Sequence, residues 1–456
     1  MRQMMPKMLF CCSAAEIGSA DFRDQGRPDI YQRVKFGNAG TCPLGLSSQR
    51  SGWLDPVMDG AKNGATPGAG FQMVNSSRPL SLGAKLELDD FRPSGFDFLR
   101  LILALSVLVP HAATIAQGEA FGEEFFNGTF APYFQLVLPA FFILSGFLVS
   151  GSMFRSKTLV MFAGLRFIRI YPALMVEVIL SAFIIGPLVT VLPLREYFTD
   201  PLFFRYLVNV TGHITYWLPG VFVNNPKPLI VNWQLWTVPW ELMCYVAISI
   251  LIVIGVKRRR VLVFPALGLL LFYCIFVEVV RPAMAGAHPF VALVGHVSGR
   301  ELIVCFLLGV ALFLYKDEIP WDWRLFVAAL LLAVLFTTYI PVGHYIGMFF
   351  AAYATIFLGL CNPKRRAFVG LSDYSYGIYL YGYVIQQFIA DVLPFSRVWY
   401  LNLLFAVPLS ILCGVMSWHF VEKPAIKLRT HLKTLEEYWI RISRRGADAV
   451  RAMAGR

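Results

Sequence analysis

An arginine and a histidine stand eleven residues apart in "RLILALSVLVPH", residues 100–111, and only Ser106 and Pro110 interrupt the apolar run between them. On an α-helix eleven residues turn through about 1100°, three turns and about 20°, so Arg100 and His111 share a face about 16 Å apart along the axis. An imidazole accepts a proton near neutral pH, and a guanidinium is a permanent cation. The pair suits base chemistry at one depth and anion binding at another. Pro110 lacks an N–H and frees a backbone carbonyl beside the ring, a break tolerated where neighbours or water satisfy the carbonyl. A histidine at a lipid interface, with an arginine reaching for headgroups, is the competing reading.

Four further stretches could carry chemistry. In "NWQLWTVPWELMCYVAI", 232–248, Glu241 follows Pro239 inside an apolar run. Counted from Trp236 it lies about 8 Å along the helix, a depth close to that expected for His111. An isolated carboxylate there costs on the order of 3 kcal/mol or more. A His111–Glu241 pair would relieve that cost, set the imidazole tautomer and raise its basicity. In "FFILSGFLVSGS", 141–152, Ser145 and Gly146 belong to a run of small residues. Such a run packs helices closely, or it opens a narrow passage for a ligand. In "LRFIRIYPAL", 165–174, Arg166 and Arg169 are three apart and so on one helix face. They read either as a plain positive pair at the cytoplasmic surface or as a phosphate grip. "LSDYSYGIYLYGYVIQQ", 371–387, stacks tyrosines that could anchor at the interface or wall a sugar pocket.

The elements that position these residues follow from composition. Of 456 residues 57% are apolar and 15% charged, with a mean hydropathy of +0.61. A soluble domain carries about 25% charged residues. The expected fold is therefore an all-α, polytopic membrane bundle in a lipid bilayer. Ten spans are expected, near 97–117, 131–151, 170–193, 236–256, 261–281, 300–316, 324–340, 344–361, 373–393 and 399–420. With the N-terminus inside, the cytoplasmic segments hold 22 Lys and Arg and the outer ones 6. That bias places both termini in the cytoplasm. It also accounts for the net charge of +12 without nucleic acid.

Residues 1–90 lack a core-forming period and are expected to be a poorly ordered cytoplasmic leader. Residues 91–430 form the membrane domain, and 431–456 a basic cytoplasmic tail. The outer segment 194–235 is aromatic and broken by Pro and Gly, as an interfacial or re-entrant element would be. Eight cysteines without a CxxC read as small buried hydrophobes, and no metal is expected.

These stretches, in this order, together with the terminal "VEKP", resemble the family 3 membrane acyltransferases over about 97–430. The resemblance implies a ten-span enzyme of the bacterial inner membrane. It would carry an acyl group, usually acetyl, from cytoplasmic acyl-CoA to a hydroxyl of a carbohydrate or lipid-linked glycan such as exopolysaccharide or lipopolysaccharide. It implies His111 as catalytic residue, Arg100 as its motif partner, Glu241 as the acid of the fourth span, and Arg166 with Arg169 at the donor. Ser145 and Gly146 would line the donor's path. Polysaccharide-assembly proteins are candidate partners. Two departures stand out: Leu242 where many members carry a second acid, and Gly382 where many carry a histidine in span 9. No catalytic role is therefore expected of span 9. The rival reading is a transporter or flippase for a lipid-linked sugar, which would also need intramembrane charge and broken helices.

Overall fold

The computed structural model describes residues 80–454, apart from 90, 92, 285–296, 341 and 364–373. Most of the expected leader, 1–79, thus lies outside the described residues. The described chain is helical and has no β-strand. In chain order the main helices are α1 (Leu82–Leu88), α2 (Ser94–Gln117), α3 (Glu119–Phe126), α4 (Ala131–Arg155), α5 (Leu159–Leu180), α6 (Thr237–Ile254), α7 (Val263–Ile275), α8 (Gly299–Leu314), α9 (Trp323–Val334), α10 (His344–Leu360), α11 (Ser375–Val392), α12 (Trp399–Ser417) and α13 (Arg429–Ala454).

Among the described residues six helical stretches are long and apolar enough to cross a membrane: Ser94–Gln117, Ala131–Arg155, Leu159–Val189, Trp233–Ile254, Arg260–Met284 and Trp399–Ile442. The four other expected spans are helical too. Trp323–Tyr339 and His344–Leu360 are shorter apolar helices, and α8 and α11 have 16 and 18 residues. Several long helices pass through a π-helical turn near an end: Ser181–Ile185, Phe276–Val280, Leu335–Tyr339 and Trp418–Glu422. A π turn re-aims the side chains around it.

The third span begins earlier than expected. Thr158 caps it, its hydroxyl accepting from the Met161 N–H at 3.1 Å, so the helix starts at Leu159. Arg166 and Arg169 therefore lie within α5, on one helix as their spacing of three implies. The end of the expected leader also differs. Leu82 and Leu86 are 0% and 3% exposed in α1, and the Leu82 N–H donates to the Ile319 carbonyl at 2.9 Å. Burying two leucines stabilises this helix against the bundle by several kcal/mol, on the order of 1.5–3 each.

At the centre α4 and α8 touch backbone to backbone. A Cβ at Gly146 would fall 2.0 Å from the Phe306 carbonyl oxygen, and one at Gly309 would fall 2.0 Å from that of Ile143. Only glycine allows that approach, the usual device where lipid removes the hydrophobic drive between helices. The segment 194–235 is folded into protein. Asn209 closes its turn, with Nδ2 donating to the Thr215 carbonyl at 2.8 Å and Oδ1 accepting from the Thr215 N–H at 2.7 Å. Asn225 Nδ2 donates to Gln387 Oε1 at 2.8 Å, and Gln387 Nε2 donates to the carbonyls of Lys227 and Ile230. Irregular backbone in such a bundle needs partners of this kind.

Candidate active site

The stripe Leu138, Phe141, Phe142, Ser145, Leu148, Val149, Ser152 and Arg155 of α4 recurs every three or four residues. It lines one side of a cavity of about 980 Å³. Seventeen residues of helix rise about 26 Å, so the cavity follows most of the length of α4. Arg100 of α2, Arg166 and Arg169 of α5, Glu241 and Tyr245 of α6, and Tyr376 and Tyr379 of α11 complete its inner walls. At its other end stand Arg155, Lys157, Arg429 and Lys433, all exposed.

Each guanidinium is held by geometry the local sequence supplies. Arg166 Nη2 donates to Ser152 Oγ at 3.1 Å, and its guanidinium lies 5.9 Å from the ring centre of Tyr245. Its Nε is buried and has no hydrogen-bond partner among the described residues. Arg169 Nη1 donates to Glu422 Oε2 at 3.0 Å and covers the Tyr376 ring at 5.5 Å. Glu422 reaches it because the π turn Trp418–Glu422 rotates that carboxylate inward, where it is 3% exposed. Faces of aromatic rings attract cations without consuming their N–H donors. Both arginines thus keep donors for a ligand.

His111 lines a second, smaller cavity of about 230 Å³ with Ser106, Pro110, Phe126, Phe134, Gln135 and Trp236. Its ring and that of Tyr383 make a T-shaped contact at 5.1 Å between centroids. Ser106 bridges the hydroxyl of Tyr133 and the Ile102 carbonyl, the latter at 2.7 Å, and so occupies the turn below Pro110. The two cavities share two residues, Leu138 and Tyr379. The Tyr379 hydroxyl is fixed by Thr237 Oγ1 at 2.6 Å and by the Gln234 carbonyl at 3.1 Å. A third, apolar groove of about 530 Å³ lies between α5 and α6 and shares Arg166 and Tyr245 with the large cavity.

The sequence-derived residues divide accordingly. Arg100, Arg166, Arg169, Ser145 and Glu241 meet around the large cavity. Gly146 does not line it; one residue along from Ser145 is a rotation of about 100°, which turns it toward α8. The His111–Glu241 pair is not formed. Glu241 accepts from the Tyr245 hydroxyl at 2.6 Å in the large cavity, while His111 stands in the small one. Matching depth on two helices left their lateral positions open. Sequence reasoning missed Tyr379, set aside with its whole span, and the rim residues Arg429, at the end of the expected membrane domain, and Lys433, in the expected tail. The tyrosine-rich stretch was the available signal for the first.

Glu278, Glu301 and His344 have metal-ligand chemistry, with ligand atoms within 4.8 Å of one another. Arg300 already counters Glu278 at 2.9 Å, Tyr345 donates to the same carboxylate at 2.6 Å, and His344 Nε2 lies 2.9 Å from Glu301 Oε1. None of these residues lines either cavity. The cluster fastens together the ends of α8, α10 and the helix continuing α7.

The chain matches the family model described as "Acyltransferase domain" over residues 94–419. It is 25% identical over 351 residues to a protein of Shigella phage Sf6 named "O-acetyl transferase", covering 72% of this chain and 94% of that protein. It is 26% identical over 386 residues to "Nodulation protein 10" of Rhizobium leguminosarum bv. viciae, covering 77% and 98%. No solved structure matches the chain. The family match runs from α2 into the π turn after α12 and takes in the whole small cavity and the large one apart from its wall of Ile426 and α13, so the chain belongs to this acyltransferase family and is a multi-pass, helical membrane acyltransferase.

Proposed function

We propose that the protein is an O-acetyltransferase of the bacterial inner membrane. It takes acetyl from cytoplasmic acyl-CoA and passes it to a hydroxyl of an envelope or extracellular carbohydrate. The observation that carries this reading is the pair of cavities that share Leu138 and Tyr379, one cationic along α4, the other holding His111. A long donor with phosphates at one end and a thioester at the other suits the first. An acceptor hydroxyl beside an imidazole suits the second. Aromatic walls from Phe126, Phe134 and Trp236 fit the apolar face of a sugar ring.

In this mechanism Arg166 and Arg169 bind phosphate oxygens, and Arg100 adds positive potential along the same wall. The arm of the donor lies along the α4 stripe and brings the thioester carbon to Tyr379. His111 acts as general base: it takes the proton as the acceptor oxygen bonds to the carbonyl carbon. The tetrahedral intermediate collapses, the C–S bond breaks, and the leaving thiolate takes the proton that His111 had accepted, which restores the neutral imidazole. Glu241 holds Tyr245, and Tyr245 supports Arg166, so Glu241 serves the donor side by positioning. Partners at the membrane, such as polysaccharide-assembly proteins, would deliver the acceptor.

The test is CoA-dependent transfer by the purified protein. Supplied with radiolabelled acetyl-CoA and surface glycan from a deletion strain, it should label the glycan and release CoA. Flux of a lipid-linked sugar across vesicles without acetyl transfer would replace this reading with the transporter one.

A further inference from the structure

The family match ends at residue 419, ten residues before α13 begins. Yet α13 belongs to the wall of the large cavity. Arg429, Lys433, Glu436, Glu437 and Ile440 of this helix line it. The helix is fastened there by specific contacts. Glu436 Oε1 accepts from both the N–H and the hydroxyl of Thr158, at 2.9 and 2.8 Å. Leu432 packs on Gly164 so closely that a Cβ at Gly164 would fall 2.8 Å from its Cδ1. Arg429 and Lys433 are four apart, hence on one face of the helix. Arg155, the last residue of α4, and Lys157, on the segment that joins α4 to α5, complete the rim.

The charged groups of the cavity are graded. Arg100, Arg166 and Arg169 are half-buried, whereas Arg155, Lys157, Arg429 and Lys433 are exposed. Two acids share the rim. Glu436 is committed to Thr158, and Glu437 is exposed. Four cations against these two leave a local excess of positive charge. An acyl-CoA entering thioester-first carries its phosphates in a fixed order. The diphosphate joins the pantetheine arm, and the 3′-phosphate of the ribose lies beyond it. The inner arginines therefore face the diphosphate, and the rim faces the outer phosphate.

We infer that Arg429 and Lys433 of the C-terminal helix, with Arg155 and Lys157, form a subsite for the ribose 3′-phosphate of the donor, so that this helix selects CoA over nucleotides lacking that group. This rests on the acyl-CoA reading above. A dianionic phosphate facing two cations that donate hydrogen bonds gains strong, charge-assisted contacts. On an exposed rim the gain is screened by salt.

The experiment measures equilibrium binding of CoA and of 3′-dephospho-CoA to the full-length protein in zwitterionic nanodiscs, where no anionic headgroup competes. The wild type should prefer CoA about ten- to a hundredfold, and the preference should shrink as salt rises. The double variant Arg429→Ala/Lys433→Ala should lose most of that preference, Arg155 and Lys157 keeping the remainder, and its affinity should fall much more for CoA than for 3′-dephospho-CoA. Arg429→Lys with Lys433→Arg should restore the preference. Equal binding of both ligands by the wild type overturns the inference, as does a full preference in the double variant. Neither result touches the donor reading. Failure of the wild type to bind either ligand would overturn the donor reading, and this inference with it.

Discussion

His111 and Arg166 differ in what they can lose. His111 lines the small cavity, and Arg166 the large one. His111→Ala should lower kcat by about 10²–10⁴-fold, the usual effect of losing a general base, with CoA binding unchanged. Arg166→Ala should chiefly raise the KM for acetyl-CoA, because it removes a contact made equally in the ground and transition states. Arg169→Ala should raise KM and also lower thermal stability, since it removes the cation paired at 3.0 Å with the buried Glu422 and leaves Ser417 among the groups that still contact it. Acetyl-CoA titrations and detergent melting curves separate these outcomes. Near-normal turnover in His111→Ala would make the ring an interfacial anchor. Tyr379→Phe provides a second check. Its hydroxyl ties Thr237 and the Gln234 carbonyl at the junction of the cavities. Its loss should reduce kcat about tenfold or more with little change in donor KM, because one buried hydrogen bond is worth about 1–3 kcal/mol. Of these residues Arg100, His111, Arg166 and Arg169 were legible, because a charge in an apolar run is conspicuous. Tyr379 was not, since one tyrosine among several carries no mark of which ring reaches the junction. The His111–Glu241 pairing went astray because spacing along a helix gives depth but not which neighbour lies beside it.

Helices impose a second level of constraint, and α4 shows it most plainly. One face carries the cavity stripe from Leu138 to Arg155, and the adjacent face carries Gly146 against α8. Packing and passage, which the small residues left open as alternatives, are divided between neighbouring positions. Gly309→Ala tests the packing half. Its Cβ would fall 2.0 Å from the Ile143 carbonyl oxygen, a backbone atom that cannot move aside alone. The helices must separate, at a cost of about 1–3 kcal/mol. The variant should melt at lower temperature in detergent and lose activity through a displaced α4 stripe. An unchanged melting temperature would mean that the contact between α4 and α8 is looser than its geometry indicates. Hydropathy revealed where the apolar helices run, because each apolar stretch is continuous. It could not reveal α1 or the docking of α13. Leu82 and Leu86 in the one, and Leu432 and Glu436 in the other, are anchored by residues that lie far away in sequence. The start of α5, eleven residues ahead of the expected span at 170, escaped notice for a related reason: a lone N-cap threonine extends the helix backward past the apolar stretch.

At the scale of the whole molecule, hydrogen bonds and ion pairs between loops of the described residues include two groups. Lys257 Nζ donates to the Ser156 carbonyl at 2.8 Å, Thr158 is bonded to Glu436, and Arg260 pairs with Glu318. All of these segments were assigned to the cytoplasm by their charge. At the other end Lys227 pairs with Glu119 at 2.8 Å, the Trp399 N–H donates to Gln117 Oε1 at 3.3 Å, and Arg397 approaches Asn225 at 3.4 Å. All of these were assigned outside. Contacts of this kind join segments of like assignment, as an up-and-down bundle requires. The cationic rim belongs to the first group and the α2–α3 junction near His111 to the second. Transfer should therefore be sided. Reporter fusions after Arg258 should read as cytoplasmic and those after Gly128 as external, both at exposed positions. In sealed vesicles of known orientation, acetyl-CoA should support transfer only from the side that carries α13, and a membrane-impermeant glycan should accept only from the opposite side. If donor and acceptor work from the same side, the shared wall at Leu138 and Tyr379 is not the crossing point, and the acetyl group does not pass between the two cavities.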